Sequence, residues 1–310
     1  MEPWSQQSRI LRFVRKGDVL AGAPRKIGLI QLDGKWPNLA LMKLSTWHKK
    51  RGDNVTLIDL SSHEFDRVYA SKVFVGGSGY DLKSELPEEI ELQVPDYELF
   101  KTDFSIGFTS RGCIRDCGFC IVQEKEGWIR EAPFDWIESP KILLLDNNFL
   151  ASPKWKEKLE FFIRQKLKVC FSQGLDIRLI NEENARLLAR VKYYDNHFRR
   201  RRLYFAFDFP ELESIVKKGI KILNDAGIPS KHLMFYVLVG YNTTFQEDYH
   251  RFEVLNQLGC LPFVMIYNNR KDKLILRHFA RWVNQRYYNF VPWDKYDFSR
   301  RNRIGELRHE

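Results

Sequence analysis

Apolar and polar positions along the chain change period repeatedly, and each change marks an element. KIGLIQL (26–32) is a short apolar run that predicts a strand. NLALMKLSTWHKKRG (38–52) spaces Leu39, Met42, Leu44 and Trp47 along one helical face and stops at Gly52. NVTLIDL (54–60) predicts a second strand, and KVFVGGSGY (72–80) a third that ends in glycines. Residues 25–100 therefore predict a small Rossmann-like α/β domain behind an N-terminal extension, 1–24. LPEEIELQVPDYELF (86–100) is broken by prolines and predicts a linker that closes this domain.

A second rhythm starts near residue 101. FSIGFTS, KILLLDN, KVCFSQG, RLYFAFDF, LMFYVLVG and PFVMIYN predict six strands. Helical spacing fills 151–168, 181–193, 211–226 and 245–258 between them. Strands that alternate with helices predict a parallel sheet covered by helices. Residues 101–270 are too few for a full (β/α)₈ barrel, which needs roughly 200 or more, and predict a partial (β/α)₆ TIM-like barrel. Residues 271–310 predict a basic, aromatic helical tail.

Composition narrows the class. No apolar run approaches the roughly 18 residues of a membrane span, so no membrane association is expected. MEPWSQQSRILRFVRKGDVL has no uninterrupted apolar core and no small-residue cleavage site, which predicts no signal peptide. Five cysteines, three of them clustered, fit reduced thiols in a cytoplasmic protein better than a disulfide framework. The net charge is +10, and residues 270–310 carry eleven Lys/Arg against five Asp/Glu. A second basic knot, HFRRRR, runs from His197 to Arg202. Such patches attract polyanions without naming one.

SRGCIRDCGFC (110–120) carries the chemistry. Cys113, Cys117 and Cys120 follow the strand FSIGFTS directly, at the strand ends where parallel α/β proteins place their sites. Structural zinc takes four protein ligands and this loop offers three, so a zinc knuckle would have to borrow Cys170 or a distant histidine. Thiolates equally suit an iron–sulfur cluster, and three of them leave one iron open.

The C-x₃-C-x₂-C spacing, with Phe119 just before Cys120, resembles the signature of the radical S-adenosylmethionine (SAM) superfamily. That resemblance implies a [4Fe–4S] cluster on Cys113, Cys117 and Cys120, with SAM chelating the open iron. It implies reductive cleavage of SAM to methionine and a 5′-deoxyadenosyl radical, fed by a flavodoxin- or ferredoxin-type reductant. The family's later motifs imply a SAM pocket. DNN (Asp146, Asn147, Asn148) stands where the family has a GGE-like turn for the SAM amino group, and an N-cap is the alternative role. SQGLDIRLI places Gln173, Asp176 and Arg178 near the carboxylate or ribose, with an Asp176–Arg178 ion pair as the alternative. FAFDF puts Asp208 where an acid often stands, and GYNTTFQED puts Gly240 and Thr243–Thr244 by the adenine or, alternatively, at a helix cap. Lys125, Glu126 and Arg130 either line the site or form a solvated helix face.

The N-terminal domain resembles a trimmed cobalamin-binding-like domain but lacks its D-x-H-x-x-G motif. His48 and His63 stand in other contexts, Gly76, Gly77 and Gly79 are more simply a turn, and cobalamin is not expected. Cys170 and Cys260 predict inert buried thiols. The reaction after radical formation is open: modification of RNA or a nucleotide is motivated by the basic tail and Arg199–Arg202. The alternatives are chemistry on a small molecule or peptide, or a non-catalytic iron–sulfur sensor.

Overall fold

The computed structural model describes residues 9–14, 23–32, 36–59, 64–72, 88–267 and 273–297. His63, Gly76, Gly77, Gly79 and the predicted strand over 73–80 lie outside the described residues, as do 298–310 of the tail. Up to residue 145 the chain forms β1 (Arg9–Val14), β2 (Lys26–Gln31), α1 (Leu39–Lys49), β3 (Asn54–Leu57), β4 (Arg67–Lys72), α2 (Glu88–Glu91), α3 (Tyr97–Phe100) and β5 (Ser105–Gly107). Then come β6 (Ser110–Arg111), α4 (Val122–Glu126), β7 (Arg130–Glu131) and β8 (Lys141–Leu144). The remainder forms α5 (Trp155–Arg164), β9 (Lys168–Phe171), α6 (Glu182–Arg190), β10 (Lys192–Tyr193), β11 (Leu203–Ala206) and α7 (Glu213–Asp225). It ends with β12 (Leu233–Val239), α8 (Phe245–Gln257), β13 (Leu261–Ile266) and α9 (Leu274–Asn284). The protein is thus mixed α/β with parallel sheets, and the chain divides into two compact units.

The first unit runs to Thr109 and takes in Ala132–Leu145. Its sheet has the order β1–β4–β2–β3, with β1 antiparallel and the other pairs parallel. Leu41 and Leu44 of α1 pack on Ile27 and Leu29 of β2 and on Tyr69 of β4; of the positions that the sequence spacing marked, Leu39, Met42 and Leu44 are buried and Trp47 is half-buried. Asn38 starts the helix, since its side-chain oxygen accepts from the Leu41 N–H at 3.2 Å. The stretch 86–100 is not a bare linker. It holds α2 and α3, and Asp96 fixes it by capping the Leu99 N–H, accepting from Ser45 and pairing with Lys49 at 2.7 Å.

A polar network sits under α1. The His48 ring is fully buried, with Nδ1 2.6 Å from Asp53 Oδ2 and Nε2 3.2 Å from the Tyr69 hydroxyl. Both nitrogens are engaged, so His48 is a structural residue. Arg25 grips Asp53 through Nε and Nη2 at 3.1 and 2.9 Å. Burial pushes the Asp53 carboxyl up, but Arg25 and His48 outweigh it and hold the group at about 2. A depressed carboxyl contributes stability above its unfolded value near 4, and that stability fades as pH falls towards 2. Asp53→Asn should therefore cost about 2 kcal/mol in urea unfolding at pH 7, with the gap to the parent closing near pH 2. An equal gap at both pH values would refute this.

The second unit comprises Ser110–Glu131 and everything from Asp146 onward. Here β9 pairs in parallel with β10, and β11, β12 and β13 form a parallel sheet in sequence order. The Leu175 N–H, just past β9, bonds the Tyr204 carbonyl of β11 at 2.7 Å, which orders β9 beside β11. Each intervening helix buries one apolar stripe, such as Val216, Ile220 and Leu223 of α7. In α9, Phe279 and Trp282 pack into rings that include Phe252, Tyr249 and Trp293. Phe252, Phe279 and Trp282 are buried, and Tyr249 and Trp293 are half-buried against them. Asn284 then closes the edge of β13, donating to the Val264 carbonyl and accepting from its N–H at 2.9 and 2.8 Å. Among the described residues no helix is long and apolar enough to cross a membrane.

Candidate functional site

The cysteine loop lies wholly in the second unit and is closed at its base by β6 and β7, which pair antiparallel as Ser110 with Glu131 and Arg111 with Arg130. Arg111 Nε and Nη2 both donate to the buried Glu126 carboxylate at 2.7 Å, so Glu126 braces the loop and does not face solvent. Gly112 turns with φ +80°, and a Cβ there would fall 2.3 Å from the Trp128 carbonyl oxygen. The Cys113 N–H bonds the Gly127 carbonyl, and the Gln123 amide spans the Cys113 and Arg115 carbonyls at 2.6 and 2.9 Å. The loop backbone is therefore held independently of any ligand.

Four segments at the carboxyl ends of strands meet this loop. From the segment before α5, the Asn147 side-chain oxygen accepts the Gly112 N–H at 3.0 Å, and Asp146 accepts from the Ser110 hydroxyl at 2.6 Å. Asn148 holds the N-cap position of a short 3₁₀ turn, yet its side chain makes no cap bond. Its Nδ2 donates to Cys113 Sγ and Asp176 Oδ2, each at 3.4 Å. That leaves Oδ1 buried without a partner, a costly state for an amide oxygen. From the segment after β9, Asp176 pairs with Arg178 at 2.6 Å and with Arg115 at 3.1 Å, so the ion pair open in the sequence reading is formed. Gln173 is half-buried beside Ser172, to which its amide donates at 3.5 Å.

From the segment after β11, Asp208 stands within electrostatic reach of Arg178 and Arg251, and of Cys117 and Cys120. Desolvation lifts its carboxyl to about 6, against the pull of those arginines and a Leu238 backbone bond. Phe119 packs on Phe209 and Tyr241 with ring centroids 5.7 and 5.4 Å apart. After β12, Gly240 takes φ +78° and donates its N–H to Asp248 at 3.3 Å. Thr244 caps α8 in a reciprocal box with Glu247, so the capping role holds for that threonine.

Burial raises the Cys117 thiol; Arg178 pulls it down, while Cys120, Asp208 and Cys113 push it up. The Cys117 and Cys120 thiols thus lie within electrostatic reach of the loop's other cysteines. Among the described residues, no group of three or more His, Cys, Asp or Glu side chains is arranged to hold a metal ion. A cubane takes each thiolate on a different iron, so its ligands stand wider apart than those of one ion. Cys170 is fully buried with its thiol pushed up, and Cys260 is buried with its thiol pushed up to about 12. Both are packing residues.

Sequence reasoning placed the cysteines and singled out the DNN turn, but gave the weight to Asp146 and Asn147 rather than to Asn148. It left Glu126 open between lining and surface, whereas Glu126 is a brace. The aromatic wall of Phe209 and Tyr241 beside Phe119 also escaped it. No protein-family model matches the chain, and no curated protein matches its sequence.

Proposed function

We propose that this protein is a radical SAM enzyme on a partial (β/α)₆ barrel, with a [4Fe–4S] cluster on Cys113, Cys117 and Cys120. The observation that carries the reading is the unpaired, buried Asn148 Oδ1 on the side chain that donates to Cys113 Sγ. A buried acceptor of this kind is open to a donor from a ligand, and SAM offers an ammonium. The parallel order of β9, β11, β12 and β13, with helices between, supports the barrel. When bound, the cluster supplies one electron that splits SAM into methionine and a 5′-deoxyadenosyl radical.

The remaining roles belong to this chain's own side chains. Asp176 holds the Nε and Nη2 edge of the Arg178 guanidinium, which leaves Nη1 to meet a carboxylate beside Cys117. Asp146 and Asn147 fix the first turn of the cysteine loop from below. Phe119, Phe209 and Tyr241 give an apolar wall that excludes water on one side. Gly240 lets the backbone after β12 turn without a side chain, since a Cβ there would meet Leu276 Cδ1 at 2.7 Å. The electron would come from a flavodoxin- or ferredoxin-type donor, and Cys120 is the exposed member of the three cysteines.

The test is anaerobic reconstitution, dithionite reduction, and EPR with and without SAM. A reduced-cluster signal that shifts on SAM addition, with 5′-deoxyadenosine in solution, is the expected result. Bound zinc, or a signal indifferent to SAM, would overturn the proposal. Turnover of SAM without any substrate also separates the enzyme from a non-catalytic sensor.

A further inference from the structure

In the second unit the two ends of the strands differ in charge. Segments leading from a strand into the next helix, 112–121, 146–154, 172–181, 207–212 and 240–244, carry Asp116, Asp146, Asp176, Asp208 and Glu211 against Arg115, Lys154 and Arg178. Segments leading from a helix into the next strand, 165–167, 191–202, 226–232 and 258–260, carry seven Lys/Arg against one acid, Asp195. Strand register gathers these segments at one end: Lys168 lies opposite Lys192, and Leu203 opposite Leu233, so Arg202 and His232 precede adjacent positions. Side chains tie them together. Arg202 donates to the Lys231 carbonyl at 3.1 Å, Arg201 to the Val191 carbonyl at 3.0 Å, and the Tyr193 hydroxyl meets His232 Nδ1 at 2.9 Å.

Asp195 does not neutralise this end. It accepts the backbone N–H groups of Arg199 and Arg200 at 2.9 and 3.3 Å, and so shapes the turn that presents both arginines. Lys192, Arg199, Arg200, Lys231 and Arg286 are exposed, and none has a carboxylate partner among the described residues. On the helix faces Lys156, Arg186, Lys217 and Lys221 each pair with an acid at 2.5 or 2.6 Å, while Arg164, Arg190 and Lys218 stand singly with no ion pair among the described residues. Like charges crowd the strand-start end enough to register. Burial lowers the His232 imidazole, and Arg201, Lys231 and Arg202 lower it further.

We propose that this face binds the phosphate backbone of a nucleic acid, an activity that stands whether or not the cysteines hold a cluster. A protein partner would want an apolar centre to its interface, and a lipid surface would want apolar side chains to insert. Segments 165–167, 191–202, 226–232 and 258–260 expose no large hydrophobic side chain. Cations without apolar neighbours suit a wet, phosphate-rich ligand whose condensed counterions are released on binding. The seven residues of β12 separate this face from the cysteine loop by about 20 Å. A ligand that reaches both is therefore a polymer, not a metabolite.

The experiment compares two quadruple variants of the full chain with equal loss of charge. One is Lys192→Ala/Arg199→Ala/Arg200→Ala/Lys231→Ala; the other is Lys156→Ala/Arg186→Ala/Lys217→Ala/Lys221→Ala. Binding is titrated against salt with a labelled single-stranded RNA, a DNA of the same sequence, and phosphatidylserine vesicles. The parent should bind nucleic acid with a steep salt slope. The first variant should lower that slope by about 3, at about 0.7 per phosphate contact, while the second keeps it. Equal losses in both variants, no binding at 50 mM salt, or a response to vesicles alone would overturn the proposal. His232 gives an independent readout, because docked phosphate should raise its titration midpoint in the parent. A midpoint unmoved by saturating RNA would count equally against the proposal.

Discussion

Replacing Cys113, Cys117 and Cys120 with alanine should abolish iron uptake, from about four irons per chain after reconstitution of the parent to essentially none. SAM cleavage should vanish with the iron, while the far-UV spectrum stays that of the parent. The loop backbone is held by Arg111–Glu126, by Gln123 and by the Asn147–Gly112 bond, none of which uses a sulfur. The paired controls are Cys170→Ala and Cys260→Ala. Their side chains are buried among apolar neighbours, so each should keep its iron and lose a modest amount of stability. Retention of iron by the triple variant, or its loss from Cys170→Ala, would sink the cluster assignment and revive zinc bound through Cys170.

The second large effect is on stability. Arg251 is fully buried, pairs with Asp248, and donates to the Phe207 carbonyl at 2.6 Å and the Leu238 carbonyl at 2.8 Å. It therefore clasps the ends of β11 and β12, where Asp208 and Gly240 begin their segments. Asp248 in turn holds the Gly240 N–H and the Thr243 hydroxyl at 3.3 and 2.6 Å. Arg251→Met strands a buried carboxylate and two carbonyls, for an expected loss of about 3–5 kcal/mol. Arg251→Met/Asp248→Leu should recover part of that loss, because the uncompensated charge goes with its partner. Denaturant unfolding of the parent, single and double variants reads the difference. A single variant within 1 kcal/mol of the parent, or a double variant less stable than the single, would refute this account.

Much of the fold was legible because buried parallel strands read as continuous apolar runs. KVCF and LMFYVLV lie inside segments that the sequence marked, and LPFVMI starts one residue before the marked PFVMIYN. Other strands gave no such signal. RVYASK alternates weakly and owes its place to pairing on both sides, with β1 and β2. The pair Ser110–Arg111 and Arg130–Glu131 has two residues a side and an excursion of 18 between them, beyond any local pattern. Within the site, the cysteine spacing is a covalent fact of the chain and reads directly. The orphaned Asn148 oxygen is not, because it arises only when Cys113 and Asp176 converge on one amide nitrogen pair. Glu126 looked like one charge among several in QEKEG, and only the Arg111 fork explains its burial.

The Asn284 amide, which occupies the edge of β13, bears on how the protein lives in a crowded solution. An uncovered outer strand is a template on which a second chain can add, and growth of that kind ends in fibres or swapped pairs. Here one side chain satisfies both polar groups of Val264 in the middle of that edge, while α9 stands over it. The helix after β13 is thus a stopper as well as a packing element, and it lets the three-stranded sheet of β11, β12 and β13 keep its outer strand to its own molecule.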